Sequence, residues 1–129
     1  MMSIRRVVPE DLTAILRLEK KCFARDAWHR DQFLSYLAEP ERSVFLLASV
    51  NGVVSAYAIA YHTASRAEID SIAVSKAYRG KGLAASLLKR AMKSLRQRGL
   101  SAVFLNVRLD NHAAIGLYLK LRFERIRRC

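Results

Sequence analysis

The segment Val74-Ser75-Lys76-Ala77-Tyr78-Arg79-Gly80-Lys81-Gly82-Leu83-Ala84-Ala85 decides the fold of this chain. It joins an apolar run, Ala67 to Val74, to a long amphipathic stretch, Gly82 to Arg98. In that stretch Leu83, Leu87, Leu88, Ala91 and Leu95 recur at helical spacing, with Lys89, Arg90, Lys93 and Arg96 opposite them. The segment therefore reads as strand, glycine-bearing turn and helix, with Gly99 as the helix stop. Small residues let a ligand approach the backbone closely. A helix start offers unpaired N–H groups and partial positive charge, which suit phosphate oxygens. Arg79 and Lys81 add formal charge.

Three patterns compete for this loop. Gly80-x-Gly82-x-x-Ala85 loosely matches the dinucleotide fingerprint, but that motif also wants an acid about 20 residues on. Asn106 and Val107 stand there instead. A phosphate-binding loop of the Walker type needs Ser or Thr after its Lys, and Gly82 follows Lys81. The third pattern is Arg-x-x-Gly-x-Ala, spelled by Arg79, Gly82 and Ala84.

Outward from the loop, the chain alternates element types. Ile4 to Val8 reads as a strand, and Pro9-Glu10-Asp11 opens a helix whose face carries Leu12, Ile15, Leu16, Glu19 and Phe23. That face is apolar except for Glu19. Ala24 to Arg30 reads as a loop and Asp31 to Ala38 as a short helix ended by Pro40. Val44 to Val50 and Val53 to Tyr61 are apolar runs joined by Asn51-Gly52, a strong hairpin signal. Ala102 to Val107 is a further strand, Asn111 to Leu121 a helix, and Phe123 to Arg128 begins a last strand. The order βααβββαβαβ predicts an α/β or α+β protein built on one sheet, with residues 1–129 forming one domain.

The stretch Leu105-Asn106-Val107-Arg108-Leu109-Asp110-Asn111-His112-Ala113-Ala114-Ile115-Gly116-Leu117-Tyr118 continues through Leu121 and Phe123. It resembles L-x-V-x-x-x-N-x-x-A-I-x-L-Y-x-x-L-G-F, the signature of the GNAT superfamily of N-acetyltransferases. The Arg79-x-x-Gly82-x-Ala84 loop is similar to that family's pyrophosphate loop. The resemblance covers almost the whole chain and is nearest to the RimI type, which acetylates the N-terminal amine of a ribosomal protein. Arg5-Arg6 through Glu10-Asp11-Leu12, Ala27-Trp28 and Val107-Arg108 carry that likeness.

The resemblance implies a central, mostly antiparallel sheet flanked by helices, and acetyl-CoA as acetyl donor with no metal. It implies cofactor contacts along Ile72, Ala73 and Val74, along the loop Arg79, Gly80, Lys81, Gly82, Leu83, Ala84 and Ala85, and at Asn111. Tyr118 becomes the acid that protonates the leaving thiolate, and Trp28 lies on the substrate side. Glu68 matches, by its spacing back from the loop, a position where some members hold a catalytic glutamate. Asp70 shares its face if pleating is regular, and a buried carboxylate can accept an amine proton. Asn106 replaces a glutamate of the RimI type and borders the substrate. Arg122 stands where that family has glycine. The chain ends at Cys129, before a final family strand, so Phe123 and Ile126 are expected on an open sheet edge that recruits a second copy.

Composition narrows the class. The chain has 129 residues, 52% of them hydrophobic, enough for one core. No apolar run approaches the roughly 20 residues of a membrane helix, and no signal-like stretch opens the chain, so the cytoplasm is the default. Cys22 and Cys129 have neither disulfide nor zinc spacing. Twenty-three Lys and Arg against 11 acids give +12, which favours anionic partners without choosing among them. A nucleic-acid module would interleave aromatics with those cations on one face. Aromatics make up 9% and fall mostly at apolar positions, which argues against it. The readings that stand are acetylation of a protein N-terminus, acetylation of a small amine, and a GNAT domain that binds acetyl-CoA without turnover.

Overall fold

The computed structural model describes residues 1–105. The expected helix after Asn111, the strand from Phe123, and the positions Asn106, Asn111, Tyr118, Arg122 and Ile126 lie outside the described residues.

Five strands form one sheet: β1 (Met2–Arg6), β2 (Ser43–Val50), β3 (Val53–His62), β4 (Ala67–Val74) and β5 (Val103–Leu105), in that spatial order. The first four pair antiparallel, and β5 runs parallel to β4. Helices α1 (Leu12–Cys22) and α2 (Arg30–Leu37) connect β1 to β2, and α3 (Leu83–Gln97) connects β4 to β5. None of these helices is long and apolar enough to cross a membrane.

Local chemistry sets the boundaries. Strand β1 stops at Arg6 rather than at the expected Val8, because the Val8 amide turns away to Asp11 Oδ2 at 2.8 Å. That contact starts a short 3₁₀ turn, Pro9–Asp11, which leads into α1. Helix α2 begins one residue early at Arg30, where the His29 amide donates to Gln32 Oε1 at 2.8 Å. The Asn51-Gly52 turn has φ of 51° and 83°, the positive pair that a tight hairpin requires.

The two faces of the sheet differ in grain. One carries Ala56, Ala58 and Ala60 of β3 with Ala67, Ile69 and Ile72 of β4, and α3 presses Leu83, Leu87, Leu88 and Leu95 onto them. Each such leucine contributes about 1.5–3 kcal/mol by leaving water. The small alanines leave room for that helix to sit close. The opposite face carries Phe45, Leu47, Tyr57 and Ile59, covered by Leu12, Ile15 and Leu18 of α1 and Phe33 of α2. Glu19 is also buried on this side, as the one polar residue of α1's inner face.

Strand β4 is not regular. Ile69 pairs with Ala60 and Ser71 with Ile59, so Asp70 has no opposite residue and forms a β-bulge. The bulge shifts the phase of the strand. Ala67, Ile69, Ile72 and Val74 all reach the α3 side, with two residues, Asp70 and Ser71, between Ile69 and Ile72. Asp70 and Ser71, adjacent in sequence, both bond tyrosines on the other side.

Candidate active site

The turn after β4 is built as its sequence suggests. The Ser75 amide donates to Ser55 O at 2.8 Å, holding the strand end against β3. A 3₁₀ turn, Lys76–Tyr78, follows. Gly80 and Gly82 then take φ of 78° and 83°, the left-handed region that only glycine enters freely. Gly82 is the residue before α3, and no side chain caps that helix. The first helical bond runs from the Ser86 amide to Gly82 O at 3.0 Å. The amides of Leu83, Ala84 and Ala85 therefore have no acceptor within the helix. A Cβ placed on Gly80 or Gly82 would meet no atom within 4 Å, so the surface over both is open.

Ile72, Ala73 and Val74 lead straight into this turn. On one side they pair with Ala58, Tyr57 and Ala56 of β3. On the other side, β5 pairs only with Ala67, Glu68 and Ile69. Among the described residues, the backbone from Ile72 to Val74 thus has an edge without a strand. An open edge beside a helix start lined by small residues, with Arg79 and Lys81 exposed, fits a long phosphorylated arm such as that of acetyl-CoA. Arg79 folds back so that Nε donates to Val74 O at 3.1 Å, beside the Cys22 thiol, which approaches the same carbonyl at 3.4 Å. Burial pushes the Cys22 thiol up, and the Arg79 charge offsets that only in part. Lys81 lies 5.7 Å from the centre of the Tyr78 ring, close enough for a cation–π contact.

A second group of side chains flanks the bulge. Tyr36 of α2 donates to Asp70 Oδ2 at 2.7 Å. Trp28, from the loop before α2, stacks on the Tyr36 ring with centroids 5.9 Å apart and planes 11° from parallel. Tyr61 meets Tyr36 edge-on and lies 3.3 Å from both Glu39 oxygens. Burial first, and then the Asp70 charge and hydrogen bond, push Tyr36 well above the usual tyrosine range, so it stays a proton donor. Glu68 is partly buried on the same strand, 3.8 Å from Arg66 Nε. Arg66 in turn covers the Phe104 ring at 4.2 Å. Three residues lie between Glu68 and Ile72, which puts the Glu68 carboxylate on the order of 10 Å along the strand from Ile72.

The expected residues thus fall into two neighbouring groups joined by β4: Ile72 to Val74 with Arg79 to Ala85, and Glu68 and Asp70 with Trp28. The expectation of regular pleating is corrected only beyond Asp70. Asp70 lies on the Glu68 side, as alternation expects, and the bulge adds Ser71 to that same side. Tyr36, Tyr57, Tyr61 and Ser71 were not singled out by the sequence. Each sits in an apolar or strand pattern that reads as core.

Comparisons with known proteins agree with this fold. The model of the Acetyltransferase (GNAT) family matches residues 11–123. The chain belongs to the GNAT acetyltransferase family. An acetyltransferase of Pectobacterium atrosepticum is 30% identical over 126 residues, covering 97% of this chain and 89% of that protein. The crystal structure of the Escherichia coli ribosomal-protein-S18-alanine N-acetyltransferase superposes with a TM-score of 0.85 at 31% identity, over 98% of this chain and 80% of that one. An aminoglycoside 6'-N-acetyltransferase of Acinetobacter haemolyticus shares the fold, with a TM-score of 0.83 at 22% identity over 98% and 94% of the two chains. This GNAT chain is accordingly an N-acyltransferase with the mixed α/β fold of its family. No cluster of potential metal ligands occurs among its described residues.

Proposed function

We propose that this acyltransferase moves the acetyl group of acetyl-CoA onto the α-amine of a protein N-terminus, by direct transfer with both substrates bound. The observation that carries the reading is the open glycine turn at the start of α3, beside an edge of Ile72 to Val74 that has no strand among the described residues. Arg79, Gly80, Lys81, Gly82, Leu83, Ala84 and Ala85 hold the phosphates, and Asn111 contacts the pantetheine arm. An amide of Ile72 to Val74 faces the thioester oxygen, where a fixed donor is worth several kcal/mol in comparable sites.

The amine nitrogen forms the new bond to the acetyl carbon and the carbon–sulfur bond breaks. Glu68 takes the amine proton through water, and Tyr118 gives one to the sulfur. Asn106, Trp28 and Asp70 line the acceptor. Direct transfer is favoured over a cysteine carrier, because burial favours the neutral Cys22 thiol and no histidine is among the described groups acting on it. The likeness to the S18-alanine enzyme supports a protein acceptor.

A small amine is the second reading. Asn106 stands where the RimI type has its glutamate and cannot serve as a base. Acetyl transfer to a panel of N-terminal peptides and small amines decides. Turnover of peptides supports the first reading, and turnover of free amines alone supports the second. Acetyl-CoA binding with no turnover on any member would mean a domain that only binds.

A further inference from the structure

Glu19 is 0% exposed, yet it is a carboxylate in the middle of α1. Burying such a group is expensive unless hydrogen bonds satisfy it. Its two oxygens have different partners. Oε2 accepts the backbone N–H of Trp28 at 2.8 Å. Oε1 accepts the hydroxyl of Tyr57 on β3. With that proton directed to Glu19, the Tyr57 oxygen accepts from Ser71 Oγ at 2.8 Å. Ser71 adjoins Asp70, which accepts from Tyr36, on which Trp28 stacks. The circuit returns to its starting point. It links α1, the loop before α2, α2 itself, the bulge of β4 and the middle of β3.

We propose that Glu19 is a positioning residue: its buried carboxylate fixes Trp28 as the acceptor-side wall and ties that wall to the strand bearing Ile72 to Val74. The inference rests on the acceptor-side reading above. A carboxylate suits the task because it offers two acceptors facing in different directions. One holds a loop backbone that has no ladder of its own, and the other holds a strand. With both Glu19 oxygens bonded, the loop and the strand are held rigidly to α1, and a rigid wall positions a substrate at low entropic cost.

Trp28 is the only tryptophan of the chain, so its fluorescence reads this wall directly. The experiment compares Glu19→Leu, Glu19→Gln and Tyr57→Phe with the parent protein. In Glu19→Leu we expect Trp28 emission shifted to the red and quenched more readily by acrylamide. Acetyl-CoA affinity should stay within about twofold, and KM for an accepted peptide or amine should rise roughly tenfold with kcat little changed, the scale of one lost buried hydrogen bond. Glutamine rescues: its oxygen accepts from Trp28 N–H, its amide donates to Tyr57, and Tyr57 turns to Ser71. Emission and KM in Glu19→Gln should therefore match the parent.

A folded Glu19→Leu protein with parental emission and parental KM overturns the proposal. So does a Gln variant that behaves like Leu. Should Glu19→Leu fail to fold, Tyr57→Phe decides, because its ring keeps Phe33 and Phe45 as neighbours. It should move both readouts in the same direction by less, and no movement in either overturns the proposal. A parent protein that acetylates nothing refutes the acceptor reading, while the emission arm still decides whether Glu19 holds Trp28.

Discussion

The Tyr36 hydroxyl donates to Asp70 Oδ2 at 2.7 Å, joining the second helix to the residue that the register between β3 and β4 skips. Removing it in Tyr36→Phe should cost about 1.5–3 kcal/mol of stability, the usual size of a hydrogen bond to a charged group. The effect should depend on pH. The folded state raises the tyrosine pKa, chiefly by burial, so it binds the phenolic proton more tightly than the unfolded chain does. That stability is fully present below the unfolded value near 10 and is lost as pH rises above it. Denaturant melts from pH 8 to 11 should show the loss in the parent and a shallower one in Tyr36→Phe.

Gly82 has φ of 83° with open space above it. Gly82→Val adds left-handed strain of about 1–2 kcal/mol and puts a branched side chain over the helix start. Calorimetric affinity for acetyl-CoA should fall at least tenfold while the far-UV spectrum is retained. Unchanged affinity would remove the turn from the site.

Tyr118 is the proposed acid. Tyr118→Phe keeps the ring and should lower turnover by about 10²–10⁴-fold, with little change in acetyl-CoA affinity. Parental rates in this variant would mean that Tyr118 serves packing alone.

Glu68 carries the proposed base role in place of Asn106. Glu68→Gln should flatten the acidic limb of the pH–rate profile, since protonation of a carboxylate no longer switches the reaction off. An unchanged limb would shift the role to solvent or to an amine arriving already deprotonated.

Cys22 offers a control on cofactor placement. Burial holds its thiol above the ordinary range, so in a Cys129→Ser background iodoacetamide should react slowly at neutral pH and faster as pH rises. Arg79 lies 3.9 Å from the sulfur. If acetyl-CoA draws Arg79 away from Val74, labelling should change when the cofactor is added. Equal rates with and without it would mean that Arg79 stays where it is.

The elements that sequence made legible were those with strong local chemistry. Asn51-Gly52 required one turn type, Ala67 to Val74 was found as a strand at the expected bounds, and the leucines of α3 lay on the buried face their spacing set. What stayed hidden was decided by neighbours distant in the chain. Glu19 stood out as the single acid on an apolar face, but nothing local pointed to Tyr57, 38 residues on, as its partner. Tyr36 read as an ordinary helix residue, and only the packing of α2 on the sheet shows Asp70 as its partner. A bulge leaves little trace in composition, because it is a mismatch in count between two strands.

That mismatch has a consequence for how the strand can change. Without Asp70, the order Ala67, Glu68, Ile69, Ser71, Ile72, Ala73, Val74 alternates perfectly between the two faces. Asp70 is, in effect, a supernumerary residue spliced into a flawless strand. Its excision would mend the ladder and delete the carboxylate beneath Tyr36 in one event. A change that regularises the sheet would therefore remove, in the same step, the carboxylate proposed to line the acceptor.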